Sequence, residues 1–174
     1  MNIYRCLICG TPFLGGAKPT HCPFCGVRQR HVVAAEEYRI VAIGELSEKS
    51  RENLQRVLEL EVENSTFYLG ASKVADTVAG DALLRALARL EAEHVSIVAR
   101  ILDIARPEEL FEPGESSPSH KQNLSESRKR EERMVHLYRR FLEEAVEDRV
   151  KQVLEAFIEI ETEHLALSEE EPNA

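Results

Sequence analysis

The sequence predicts a mainly α fold: an antiparallel four-helix bundle with a long crossover, preceded by a small metal-stapled β module. Three observations predict it. All four cysteines lie in the first 25 residues, as two Cys-x-x-Cys-Gly pairs. Beyond them, helix-patterned segments alternate with short breaks and one long breaker-rich stretch. Finally, a sparse set of glutamate, histidine and tyrosine recurs with an offset of 70 residues.

The N-terminal module comes first. Cys6-Leu7-Ile8-Cys9-Gly10 is followed, twelve residues on, by Cys22-Pro23-Phe24-Cys25-Gly26. Two such loops can present four thiolates to one tetrahedral ion, with each glycine permitting the tight turn. A module this short buries too little core to stand without its metal. With no signal peptide and no second cysteine cluster, disulfides are the poorer account. Four sulfurs suit zinc or iron equally.

Residues 1–45 are read as this module and its connector, and residues 46–174 as the bundle. The connector can add short strands, with Val32-Val33 and Ile40-Val41 as candidates. Leu46-Ser47-Glu48-Lys49-Ser50 is a helix start rich in caps. Helices are expected over 50–77, 81–105, 124–146 and 148–169, with Gly80-Asp81 and Glu147-Asp148 as cap candidates between paired helices. Pro107 closes the second helix, and Glu112-Pro113-Gly114-Glu115-Ser116-Ser117-Pro118-Ser119 supplies the crossover. Glu169-Glu170-Glu171-Pro172 reads as a frayed acidic tail.

The repeat places the candidate site. Glu61 is followed 30 residues later by Glu91 and then His94; Glu131 is followed 30 residues later by Glu161 and then His164. Residues i and i+3 share a helical face, so each Glu-x-x-His can reach one ion. A 30-residue lead fits a helix hairpin that brings the first glutamate level with the pair. Two facing hairpins give four carboxylates and two imidazoles, the dinuclear arrangement of ferritin-like bundles, with Glu91 and Glu161 the natural bridges. A single helical glutamate is usually solvated, and Glu59, Glu63, Glu93, Glu132 and Glu163 fit that description. The six paired residues differ because Leu84, Leu87 and Leu90, and likewise Leu154, Phe157 and Ile160, lead into them as apolar stripes. A buried carboxylate needs a compensating charge, which a metal supplies. Tyr68 and Tyr138, seven residues after the lead glutamates, can donate hydrogen bonds to ligand carboxylates; a packed core tyrosine is the alternative. His21, His31, His120 and His136 sit at no ligand spacing and read as ordinary polar residues.

The net charge of −9 disfavours nucleic acid as a partner, and no apolar run approaches a membrane span. Without a targeting segment, the cytoplasm is the expected location. Residues 1–34 carry Arg5, Lys18, Arg28 and Arg30 with no acid, so the other 140 residues carry −13. The basic module is therefore expected to dock on an acidic bundle, that of a neighbouring subunit.

The cysteine loops, with Tyr4 before the first and Pro23 inside the second, resemble a rubredoxin. Joined to the duplicated Glu…Glu-x-x-His set, they resemble the rubrerythrin family, in the domain order called reverse rubrerythrin. The resemblance covers nearly the whole chain. It implies two iron ions at Glu61, Glu91, His94, Glu131, Glu161 and His164, and one iron at Cys6, Cys9, Cys22 and Cys25. Its implied chemistry is reduction of hydrogen peroxide (dioxygen being the other candidate oxidant), with electrons from an external reductase or rubredoxin-type donor. A homodimer or higher homo-oligomer is implied as well. Two positions depart from the family pattern. Met134 stands where a further glutamate is usual, and His164 replaces a glutamate in the fourth helix. The resulting ligand set is closer to the symmetric one of bacterioferritins, so a ferroxidase or iron-handling protein is the alternative. A non-enzymatic metal-binding or redox-sensing module with a structural zinc ribbon is a third reading.

Overall fold

Strand β1 (Asn2–Cys6) lies between β2 (Pro12–Gly15) and β3 (Val32–Ala34), antiparallel to both. The computed structural model describes residues 1–170, with side chains as far as Leu167. Cys6 ends β1, and the first cysteine loop turns the chain into β2; the second loop precedes β3. Gly10 and Gly26 close the loops with φ of 76° and 73°, a region that side chains with a Cβ avoid. Val32-Val33 lies within β3 as expected, but Ile40-Val41 forms no strand. A 3-10 turn over Ala35–Glu37 carries the chain off the sheet, and Ile40 remains exposed.

The bundle consists of α1 (Glu48–Ser72), α2 (Val78–Leu102), α3 (His120–Glu144) and α4 (Asp148–Glu170). α1 pairs with α2 and α3 with α4, and α1 packs across on α3. The first three helices begin two to four residues earlier than the apolar pattern indicates, because small polar caps decide where they start. Side-chain oxygens of Ser47, Thr77 and Ser119 accept the N–H groups of Ser50, Gly80 and Gln122. Gly80 and Asp81, expected as caps, lie inside the first turn of α2. Glu147 occupies the expected cap position ahead of α4, its carbonyl accepting from the Lys151 N–H, but its side chain turns to α1. Its carboxylate accepts from the Ser47 N–H at 2.6 Å and the Ser50 hydroxyl at 2.5 Å, capping α1 from the start of α4.

Asp103, in the left-handed region at φ 57°, ends α2 three residues short of the expected boundary, ahead of Pro107. The crossover holds a 3-10 turn over Glu108–Phe111 that buries Leu110, and the Gly114 N–H donates to the Thr66 carbonyl of α1 at 2.8 Å. The expected acidic tail falls partly within α4, which runs to Glu170, and otherwise outside the described residues.

Leu84, Leu87, Leu154, Phe157 and Ile160 are buried as the stripes require. Leu90 is half-buried and faces the cysteine module. No described helix is long and apolar enough to cross a membrane.

Candidate metal centres

The two loops bring the four sulfurs together. Cys6, Cys9, Cys22 and Cys25 are buried, unbridged, and have sulfur atoms all within 4.8 Å of one another. Across the loops, Cys6 and Cys25 approach to 3.7 Å and Cys9 and Cys22 to 3.8 Å. That is far beyond a disulfide bond and fits four ligands around one ion. The crowding splits their proton affinities. Contact with Cys22 pushes Cys6 and Cys25 up and holds Cys9 down, and contact with Cys25 holds Cys22 down. The Ile8 N–H points at Cys6 Sγ at 3.3 Å, a donor suited to a thiolate.

The repeat residues meet in the middle of the bundle. Glu61 comes from α1, Glu91 and His94 from α2, Glu131 from α3, and Glu161 and His164 from α4. All six are essentially inaccessible to solvent. Two four-residue clusters result: Glu61, Glu91, His94 and Glu161, and Glu91, Glu131, Glu161 and His164. Glu91 and Glu161 belong to both, which gives them the bridging position. His94 Nδ1 lies 3.0, 3.3 and 3.4 Å from oxygens of Glu91, Glu161 and Glu61. His164 Nδ1 lies 2.9 Å from Glu161 and 3.2 Å from Glu91.

The two clusters share Glu91 and Glu161 and offer a donor set for two divalent ions. One oxygen on each carboxylate, Oε2 of Glu61 and Glu131 and Oε1 of Glu91 and Glu161, is buried without a hydrogen bond. Burying an unpaired charge costs several kcal/mol, more than a buried Leu or Phe returns at about 1.5–3 kcal/mol. Four carboxylates neutralise two divalent cations, and each offers an oxygen with no hydrogen bond to satisfy it. The set fits.

The electrostatics of the cluster follow from the same crowding. Burial pushes Glu61 and Glu131 well above the usual carboxylate range. Burial also pushes Glu91 up, but the imidazoles of His164 and His94 outweigh it and hold that carboxylate low. Glu161 is likewise held low, with His164 and His94 prevailing over burial and Glu91. Burial would lower both histidines, yet the surrounding carboxylates raise them.

Both tyrosines reach this cluster, each across the repeat. The Tyr138 hydroxyl donates to Glu61 Oε1 at 2.8 Å, and the Tyr68 hydroxyl donates to Glu131 Oε1. Tyr68 also pairs with the buried Ser127 at 2.9 Å. Burial, reinforced by those carboxylates, raises both phenols, so they remain donors.

The pairing of Met134 with Asn64 and the contact of His94 with the cysteine module escaped sequence reasoning. Met134 and Asn64 occupy equivalent positions, three residues after each lead glutamate, and the Asn64 amide approaches Met134 Sδ at 2.8 Å. The repeat offset could have paired them. His94 Nε2 lies 3.0 Å from the Cys25 carbonyl. A carbonyl only accepts, so Nε2 carries a proton, which leaves Nδ1, the nitrogen facing the carboxylates, as the one that would bind a metal. No spacing rule reveals that contact. It joins the two clusters through a single hydrogen bond.

The module sits on the α2/α4 side of its own chain's bundle, where sequence reasoning had named a neighbouring subunit. Arg28 and His21 meet Glu163 at 2.6 and 3.0 Å, and Arg30 meets Glu159. From the bundle, Arg100 donates to the Cys9 carbonyl at 2.9 Å, and Arg149 donates to Leu7 and Ile8 carbonyls at 2.7 and 2.5 Å. A Cβ on Gly26 would stand 2.9 Å from the side chain of Ile160, the residue before Glu161, so the loop packs directly on the helix that carries that glutamate. Glu163 is therefore an interfacial anchor rather than the solvated residue its pattern suggests.

Among known proteins, the family model described as Rubrerythrin matches residues 52–171. No curated protein and no solved structure matches the chain.

Proposed function

The chain belongs to the rubrerythrin family, and from that premise we propose that it is a non-haem di-iron oxidoreductase that reduces hydrogen peroxide. The overall change takes one peroxide, two electrons and two protons to two waters. Glu61, Glu91, His94, Glu131, Glu161 and His164 would hold two irons, and Cys6, Cys9, Cys22 and Cys25 a third. Bound there, the paired irons would supply the two electrons that break the O–O bond, and the cysteine-bound iron would restore them singly from an external donor.

The observation that carries this reading is the hydrogen bond from His94 Nε2 to the Cys25 carbonyl. It ties a ligand of one cluster to a ligand residue of the other within one chain. The remaining side chains prepare the site. Tyr68 and Tyr138 orient Glu131 and Glu61 through one oxygen, leaving the second oxygen for metal. Phe157, itself fully buried, packs its ring against His94 with centroids 4.4 Å apart.

The test is rapid mixing of fully reduced, iron-loaded protein with stoichiometric peroxide, following the ferric absorbance of the cysteine site. Prompt appearance of that colour is expected. Oxidation of the paired irons without it would end the relay reading.

A ferroxidase is the second reading, with ferrous iron as substrate. It is favoured by the symmetric six-ligand set and by Met134, which faces Asn64 where a seventh carboxylate would otherwise stand. Sustained oxidation of added ferrous iron, without involvement of the cysteine site, would favour it.

A further inference from the structure

Arg149 is out of place by every local rule. It lies in the first turn of α4, where the helix dipole disfavours a cation. It is 3 % exposed, yet among the described residues it forms no ion pair with a carboxylate. Its guanidinium meets neutral acceptors only: the carbonyls of Leu7 and Ile8, between the first two cysteines, and the Gln152 side chain at 2.6 Å. Its Nε has no hydrogen-bond partner. A buried, unpaired cation costs several kcal/mol, so a nearby negative charge must offset it.

We propose that Arg149 is a positioning residue whose counter-charge is the metal–thiolate cluster, so that it couples docking of the module to the charge of that cluster. The inference rests on the reading that the four cysteines hold metal. Four thiolates give a net charge of −1 around ferric iron and −2 around ferrous iron or zinc. The other basic groups at this interface are differently placed. Arg28 and Arg30 face Glu163 and Glu159, and Arg100 is 55 % exposed and screened by solvent. Arg149 is the buried one.

Two consequences follow by linkage. Arg149 favours the more negative, reduced cluster and raises its reduction potential. Reduction in turn tightens the module on the bundle by the same free energy, since coupling between two equilibria is reciprocal.

The experiment uses the metal-loaded full chain, with metal content determined first, and compares Arg149→Met with Arg149→Lys. Spectroelectrochemical titration reads the cysteine-site potential, and amide exchange of residues 6–10 reads docking. In R149M the potential should move negative, with the ferrous-to-ferric ratio at fixed poise falling roughly tenfold. In R149K, which keeps the charge but not the paired donors, the potential should stay near wild type while exchange quickens. Wild-type exchange should slow on reduction, and R149M should lose that response.

The proposal is overturned if R149M retains both the wild-type potential and the redox-dependent exchange. It is equally overturned if R149K shifts the potential as far as R149M, because the charge would then be irrelevant. A site found to hold only zinc would end the iron reading instead. Arg149 would then be judged on exchange of the zinc-loaded protein, where equal protection in wild type and R149M overturns the proposal.

Discussion

The Tyr138 hydroxyl donates to Glu61 across the repeat, while Tyr68 donates to Glu131 in the opposite sense. Each lead glutamate is thus oriented by a helix from the other hairpin. The two hairpins cannot separate without releasing both carboxylates, so holding them together and shaping the site are one task.

Removing either phenol leaves a buried carboxylate oxygen without its donor. Tyr138→Phe and Tyr68→Phe should each weaken binding at the six-residue site by roughly 10–100-fold. Competitive metal titration checks this, and unchanged affinity in both variants would reduce the tyrosines to packing.

Shared and unshared carboxylates should behave differently. Glu91 and Glu161 belong to both clusters, so Glu91→Ala or Glu161→Ala should abolish binding of both ions while the cysteine site stays loaded. Glu61 belongs to one cluster, so Glu61→Ala should weaken one ion more than the other. Metal analysis per chain reads the result directly. Retention of both ions in the Glu91 variant would remove the bridging assignment.

The two histidines are equivalent in the repeat but not in their surroundings. His94→Ala and His164→Ala each delete one ligand, but only the first deletes the contact to Cys25. In single-turnover mixing with peroxide, the ferric cysteine colour should lag more in the His94 variant. Equal lag in both would show that electrons do not pass through His94.

Glu147 makes a prediction about acid stability. Burial pushes its carboxyl up, but hydrogen bonds from Ser50 and Ser47 prevail and hold it at about 2. A depressed folded value means the unfolded chain binds the proton more tightly. The stabilisation is therefore complete above the ordinary carboxylate pKa and is lost as pH falls toward 2. Glu147→Ala should cost about 1 kcal/mol at neutral pH, and the difference from wild type should shrink through that acid window. Denaturant unfolding at several pH values tests it; a pH-independent difference would contradict the assignment.

The six buried Glu and His residues and the four cysteines were legible in the sequence because their information is local. An i, i+3 spacing or a Cys-x-x-Cys loop fixes relative positions within one element, and the 70-residue repeat carries that arrangement across hairpins. Helix starts were legible only to within a turn, since the apolar pattern begins after the cap; Thr77 and Ser119 were the missed signals. What stayed hidden depends on elements distant in sequence meeting. Glu147 caps a helix 100 residues away, Arg149 binds carbonyls more than 140 residues away, and His94 meets Cys25 across 69. Nothing in the spacing of those residues encodes the encounter. Arg149 alone left a trace, as a cation at the wrong end of a helix.

The bundle is doubled but the cysteine module is single, and Cys25 meets His94 rather than His164. A duplicated chain would ordinarily yield two interchangeable halves. Seating one module on one flank breaks that equivalence and gives the pair a near member and a far member. The centre thereby acquires a direction: the half that Glu61 and His94 complete touches the cysteine module, the half completed by Glu131 and His164 does not, and under the proposed relay charge would enter by the first.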